Sequence, residues 1–450
     1  MDQQATQKLI DSVAGIAYEA IPAHARTVAK HCVLDWFGCA LAGSREPLSD
    51  ILVPELACGG TGGGATLVGH PQRTSIADAA LINGASSHAL DFDDTHTLMS
   101  GHPSVPVIPA VLALAERDGR DGASFLAAFV AGVELECRLG ALLNPGHYAL
   151  GFHATGTLGT FGAAAAAAHL LALDGEQWRN AIGLAGTQAA GLKSGFGTMA
   201  KPLHAGRAAA NGLTSALLAR GGFTANPSVV ETTQGFAATH GSTAPDVSTL
   251  GALDGRFLIA DTLFKYHASC YLTHAAIEAV SKLRAEDGVP FDAIESVEVR
   301  ASTGCIGVCD IPEPATGLQG KFSLRVTAAM ALLGDDTTDP AAFNDARMSD
   351  PALVAMRDRV TFVPQPGLAV TRATVVLRAS GRSFEAEADT GRPSTHLDRQ
   401  WDALSAKFFS LTTPVIGRQR ATDLHDAIAR IETLPSMRDL TALVGAKEHR

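Results

Sequence analysis

Apolar residues recur at helical spacing through most of the first 276 positions. Residues 123–143, 162–173, 176–192 and 205–218 each carry an apolar face with a period of about 3.6, which predicts helices. The faces are built mainly of alanine and glycine, so helix axes can approach closely and pack as a compact bundle. Asn144-Pro145-Gly146 and Gly221-Gly222 punctuate that bundle as turns.

After Ala285 the texture changes. Positions 294–301 alternate, with Val297, Val299 and Ala301 on one side, a strand signal absent upstream. Segments 374–377 and 383–388 flank Ala379-Ser380-Gly381-Arg382 and read as a hairpin, and 321–333 reads as a helix between strands. From 401 to 444 the helical pattern returns, with 423–431 amphipathic. The pattern therefore predicts a mainly α protein. Residues 1–275 and 401–450 form a large helical domain, and 276–400 form a smaller inserted α+β domain.

Composition sharpens this. Charged residues make up 18% of the chain, against about 25% in ordinary domains, and glycines number 45. Such a chain favours close packing and a sizeable subunit interface. A net charge of -11 without a lysine or arginine run excludes nucleic acid as a partner. It also means that an anionic ligand needs positive groups converging in one pocket. The apolar stretch 156–173 is alanine and glycine around His169, too weakly apolar for a membrane span. Seven cysteines form an odd set without framework spacing, and no leader is read at Met1, so free thiols in a reducing cytoplasm are expected.

The densest polar cluster is His88-Ala-Leu-Asp91-Phe-Asp93-Asp94-Thr95-His96, followed by Gly101-His102-Pro103-Ser104. Carboxylates beside imidazoles can fix tautomers and raise basicity, which points to a site loop. Asp93-Asp94 also suggests an aspartate-rich magnesium site, but Thr97 stands where a third acid belongs, and a solvated helix terminus would need no site at all. In Gly151-Phe152-His153-Ala154-Thr155, His153 sits at a helix start, where backbone amides favour anions, and Tyr148 lies five residues earlier. Lys201 opens Lys-Pro-Leu-His-Ala-Gly in an apolar context, where burial disfavours the charged form of an amine and makes a base of it. His267 and His274 bracket Cys270 without a nucleophile pattern. The glycine run at 59–64 lacks the lysine and hydroxyl of a phosphate loop, and Gly195-Phe-Gly197-Thr-Met-Ala200 follows no strand, so neither supports a nucleotide cofactor.

Taken in order, His-Ala-Leu-Asp-Phe-Asp-Asp-Thr, His-Pro-Ser, Gly-Phe-His, Lys-Pro-Leu-His-Ala-Gly, Thr-His before a helix and Lys321-Phe322-Ser323-Leu324 resemble the MmgE/PrpD family over nearly the whole chain. The resemblance implies a large helical domain built from both chain ends, a smaller α+β domain, a homodimer and no metal or organic cofactor. It implies acid-base chemistry on a small di- or tricarboxylate, as in 2-methylcitrate dehydratase, cis-aconitate decarboxylase and iminodisuccinate epimerase. By similarity to the decarboxylase the pocket positions are Asp91, Thr95, His102, His153, Lys201 and His274, with His96 at a tryptophan position of that pattern. By similarity to the epimerase, Tyr148 and Lys201 are opposed acid and base. The expected roles are proton transfer at Lys201, carboxylate binding or proton relay at His102, His153 and His274, and orientation of a histidine by Asp91. Substrate contacts are expected at Thr95, His274, His96 and Lys265. A lyase is expected first, an epimerase second, and a non-catalytic carboxylate-binding protein third.

Overall fold

The computed structural model describes residues 4–57, 64–241, 246–285 and 289–445; the glycine run at 59–64 lies outside them except for Gly64. The fold is mainly α. Its helical body contains α1 (Ala23–Gly43), α2 (Ile76–Ser87), α3 (Ser104–Asp118), α4 (Gly122–Leu143), α5 (Ala154–Leu170), α6 (Gly175–Gln188) and α7 (Ala200–Arg220). At its centre, α5 packs against α3, α4, α6 and α7. Every residue of α5 except His169 is buried. Alanine sacrifices no side-chain entropy in a helix, so an alanine-rich rod can be surrounded at small cost.

Close approach of the axes is dictated by glycine at two crossings. A Cβ on Gly212 of α7 would stand 2.5 Å from the Ala163 Cβ and 2.6 Å from the Thr160 carbonyl of α5. Where α7 crosses α2, a Cβ on Gly84 would meet Gly206 Cα at 2.9 Å, and one on Gly206 would overlap the Leu81 carbonyl. That second crossing sets the C-terminal end of α2 against the first turn of α7.

The sheet has the order β2-β1-β3-β4, from β1 (Ile294–Ser302), β2 (Val360–Gln365), β3 (Arg372–Ala379) and β4 (Arg382–Asp389). β1 and β2 are parallel with Val297 opposite Val360, and the other pairs are antiparallel. Ser380 and Gly381 have φ of 50° and 69°, the paired positive values that close a tight hairpin. Helices α8 (Tyr271–Ala285) and α9 (Leu324–Leu333) pack against the sheet. Then α10 (Leu397–Ile416) returns to lie along α1, followed by α11 (Arg418–Ala429).

The expected helices and hairpin are present with shifted ends. α5 begins at Ala154 and α7 at Ala200, both ahead of the expected starts at 162 and 205, because the glycines and threonines of the first turn of α5 and Pro202 of α7 are packed inside. α6 stops at Gln188, before Gly191 at φ 148°. β2 was not anticipated.

Two large apolar cores result, with two smaller clusters around Leu67 and Leu48. One joins helical residues between Ala5 and Phe264 with Leu404 to Val444. The other gathers Ala268 to Ala388 and also takes Cys39, Leu90, Phe92 and Leu411. Leu90 and Phe92 thus pin the 88–94 segment to the face where the cores meet.

Candidate active site

His88 caps the C-terminus of α2, and the chain leaves it through Asp91 at φ 52°. Left-handed backbone is uncommon outside glycine, and aspartate is among the residues that tolerate it. The turn presents its carbonyls and the Asp91 carboxylate to three buried lysines and the half-buried Lys407. Lys201 Nζ donates to Asp91 Oδ1 at 2.6 Å, and Lys265 Nζ donates to the same oxygen at 2.9 Å and to the Asp91 carbonyl at 2.6 Å. Lys321 donates to the Leu90 carbonyl at 2.8 Å, and Lys407 to the Phe92 carbonyl and Asp35 Oδ1, each at 2.6 Å. An acidic protein therefore concentrates positive charge at one point. Burial opposes ionisation of Asp91, but the Lys201 and Lys265 ammonium groups outweigh it and hold the carboxyl well below the usual range. Burial lowers Lys321 to about 8.

Asp93 orders the imidazoles. His88 Nδ1 lies 2.9 and 3.0 Å from the two Asp93 oxygens. His102 Nδ1 lies 2.9 Å from Asp93 Oδ2 and 2.7 Å from the Asp94 carbonyl. Those oxygens can only accept, so each Nδ1 carries the proton and each Nε2 is bare. His88 Nε2 then accepts from Lys201 Nζ at 2.9 Å. His102 Nε2 stands 3.7 Å from Asp91 Oδ1 and lines the cavity described below. Burial lowers His88 to about 3, against the pull of Asp93, and lowers His102 as well. Both are neutral bases near pH 7. Asp91 thus holds lysines, and it is Asp93 that orients the histidines, which corrects the expected division of labour.

These groups form one end of a cavity of about 460 Å³. Asp91, Thr95, His102, Tyr148, His153 and Lys201 all line it. His153 is the N-cap residue of α5, as its place before the helix predicted, with its Nδ1 3.0 Å from His204 Nδ1 and its ring stacked 5.8 Å from His88. Burial, reinforced by Lys201, keeps it well below 6.5. Tyr148 is half-buried, Lys193 Nζ stands 4.0 Å from its ring centroid, and burial pushes its phenol up. Thr95 donates to the Gly101 carbonyl at 3.0 Å.

Of the other expected substrate contacts, one lines the cavity and two stand elsewhere. His96 borders the cavity, but its Nε2 is 2.9 Å from the Leu258 carbonyl and its Nδ1 accepts from Leu98 N at 3.3 Å. Both nitrogens are committed to backbone, so His96 anchors the loop. Lys265 is fully buried behind Asp91. His274 lines a neighbouring cavity of about 420 Å³ with His267 and Tyr271, its ring 5.0 Å from each of theirs. The expected list had missed His88, Asp93, Lys193 and Lys407. The first two lie inside the recognised cluster, whereas Lys407 carries no local signal in the middle of α10.

His88, Asp91, Asp93 and His102 offer ligand atoms within 4.8 Å of one another, a set compatible in type with a divalent ion. Both Asp93 oxygens already receive imidazole N–H groups, and Asp91 Oδ1 receives two ammonium groups. Of the carboxylate oxygens in this set, only Asp91 Oδ2 is buried without a partner among the described residues. A cation there would have to displace Lys201. The aspartate-rich magnesium motif fares worse, since Asp94 is engaged by Ser104 and burial raises it to about 8.

Residues 7–247 match the family model described as the MmgE/PrpD N-terminal domain, and residues 267–433 match that of the MmgE/PrpD C-terminal domain. The chain is 30% identical over 353 residues to a cis-aconitate decarboxylase of Aspergillus terreus, covering 73% of this chain and 71% of the relative. It is 26% identical to a human cis-aconitate decarboxylase, covering 92% and 89% respectively. Against a 2-methylcitrate dehydratase of Salmonella typhimurium (strain LT2) the identity is 25%, with 93% of each covered.

Proposed function

The chain belongs to the MmgE/PrpD family, and from that premise we propose that it is a lyase taking carbon dioxide or water from a small di- or tricarboxylate without a metal or organic cofactor. The observation that carries this reading is Lys201, a cavity-lining amine hydrogen-bonded to Asp91 and to the bare Nε2 of His88. Buried lysine is costly to retain without a task. Names of relatives favour decarboxylation first.

In decarboxylation of an unsaturated acid, Lys201 delivers a proton to the alkene carbon while the bond to the departing carboxylate breaks. The electron pair of that bond becomes the new double bond, and carbon dioxide leaves. In dehydration, His102 Nε2 removes the proton beside a carboxylate, Lys201 protonates the departing hydroxyl, and water leaves as the double bond forms. Lys193 and His153 hold the remaining carboxylate. Preorganised positive charge supplies the larger part of the acceleration, and each acid or base contributes roughly a hundred- to ten-thousand-fold.

Proton NMR of the purified protein in deuterated water, with cis-aconitate or 2-methylcitrate and a chelator, tests the reading. Loss of carbon dioxide or water, abolished in Lys201→Gln, is expected. Retained turnover in that variant overturns the assignment of Lys201, and loss of activity to chelator alone overturns metal independence. Tyr148 borders the same cavity as Lys201, which favours epimerisation as second reading; deuterium uptake by iminodisuccinate without net loss would select it. A homodimeric, cytoplasmic enzyme completes the proposal, and sedimentation and cell fractionation test those two points.

A further inference from the structure

The cavity is chemically two-sided. Asp91, His102, His153 and Lys201 line it with Phe196 and Phe322, whose rings stand 5.5 and 5.4 Å from Lys201 Nζ, and Leu272, Ile306, Val308 and Val370 add an apolar wall. That wall comes from the turn after β1, the residues leading into β3 and the first turn of α8. Gly304 is open enough for Val370 to lie over it, since a Cβ there would stand 2.7 Å from Val370 Cγ1.

Charge points the same way. Of the groups lining the cavity, Lys193 and Lys201 are the cations and Asp91 the anion. Lys265, Lys321 and Lys407 spend their donors behind the wall, on Asp91, on Asp35 and on backbone carbonyls. With its cations confined to Lys193 and Lys201, the cavity can hold carboxylates beside them and offers no charge to its apolar lining. A volume of about 460 Å³ also falls in the range of about 300–1,000 Å³ that holds drug-sized ligands, more room than a six-carbon acid fills. Finally, nine large apolar side chains are exposed among the described residues, and Ile306, Val370, Leu150, Leu192 and Met199 among them either line this cavity or stand within two residues of one that does. Ile306 and Val370 of the apolar wall are thus exposed at the cavity's rim.

We propose that the substrate is an alkyl-bearing di- or tricarboxylate, its carboxylates at the Lys201 end and an extended hydrocarbon arm lying along Leu272, Val308, Ile306 and Val370. This rests on the carboxylate-lyase reading and specifies its substrate class. Ile306 and Val370 set the preference for chain length.

The test compares kcat/KM for cis-aconitate with its butyl- and hexyl-substituted analogues in the wild type and in Ile306→Asp and Val370→Asp, both at exposed positions. Each added methylene is expected to raise kcat/KM about fourfold, the equivalent of about 0.8 kcal/mol per buried CH₂. In either variant the ratio of hexyl analogue to cis-aconitate is expected to fall roughly tenfold or more. If cis-aconitate is turned over and the alkyl analogues are no better, this inference falls while the lyase reading stands. If no acid is turned over, the lyase reading falls, and thermal shifts with hexylsuccinate and succinate decide the arm: a larger shift with hexylsuccinate supports it, and equal shifts overturn it. Variants that change the sedimenting mass but leave the substrate ratio untouched would make the rim a protein interface and overturn the proposal.

Discussion

Asp93 does no chemistry in the proposed reaction, yet two bases depend on it. Each of its oxygens receives an Nδ1 proton, which leaves His88 Nε2 for Lys201 and His102 Nε2 for the cavity. Asp93→Asn would offer an amide N–H where a carboxylate accepted, and let one imidazole flip its tautomer. We expect kcat to fall roughly a hundred- to ten-thousand-fold with far-ultraviolet circular dichroism unchanged; activity within a few-fold of wild type would show that the tautomers are fixed otherwise. The pH profile carries a second prediction. His102 is lowered from 6.5 by burial, so its neutral form persists as pH drops past that value, and the acid limb of kcat/KM should lie below 6.5 and not at it. A limb at or above 6.5 would remove His102 as the base. At this scale the sequence exposed much of the site: clustered aspartates and histidines, a lysine among alanines and a histidine before a helix are local signals. His274 and Lys265 misled because each sits in a polar motif whose orientation is decided by distant packing, at α8 and behind Asp91.

Helix crossings place these groups. His88 ends α2 and Lys201 opens α7, and their 2.9 Å contact exists because Gly84 and Gly206 let the two helices touch backbone to backbone. Gly206→Val would collide with the Leu81 carbonyl and spread the crossing. Overpacking of this kind costs about 1–3 kcal/mol, so Tm should fall. Activity should fall further than the folded fraction does, because the separation reaches the proton-transfer pair directly. Equal losses in calorimetry and in kcat/KM would mean that the crossing supports stability alone. Periodicity revealed these helices but not their first turns: Gly156, Gly159 and Pro202 look like breakers in a sequence, and become close contacts or N-terminal residues once neighbours surround them. β2 escaped for a related reason. Its residues are half-exposed beyond Val360 and lack clean alternation, and its parallel partner lies more than fifty residues back, before α9 and several shorter helices.

At the scale of the whole molecule, the alanine-rich body buries ionisable groups of both kinds, and they pull stability in opposite directions with pH. His31, His88, His96, His102, His147, His153 and His274 are all lowered by burial, His88 to about 3 and His147 to about 4. Their stabilising contribution is complete above the unfolded value of 6.5 and is lost as pH falls toward the folded values, because the unfolded chain then binds the extra protons. Burial raises Asp94 to about 8, Glu134 to about 7, and Glu136, whose two oxygens have no partner among the described residues, well above 4.5. For these acids the sign reverses. The folded state holds the proton, so stability is complete below the unfolded value and drains away as pH rises toward the folded one, by at most about 1.4 kcal/mol per group and pH unit. Between pH 5 and 6.5 the histidines outnumber the acids, and above 7 the raised carboxyls of Asp94 and Glu136 continue to lower stability. Tm should therefore peak near neutrality and decline on both sides. Glu136→Gln removes one raised carboxyl without changing its shape, so calorimetry should show this variant gaining on the wild type as pH climbs from 6 to 8. A difference in Tm that stays constant over that interval would mean that Glu136 is already ionised in the fold, paired through a contact that its surroundings do not display.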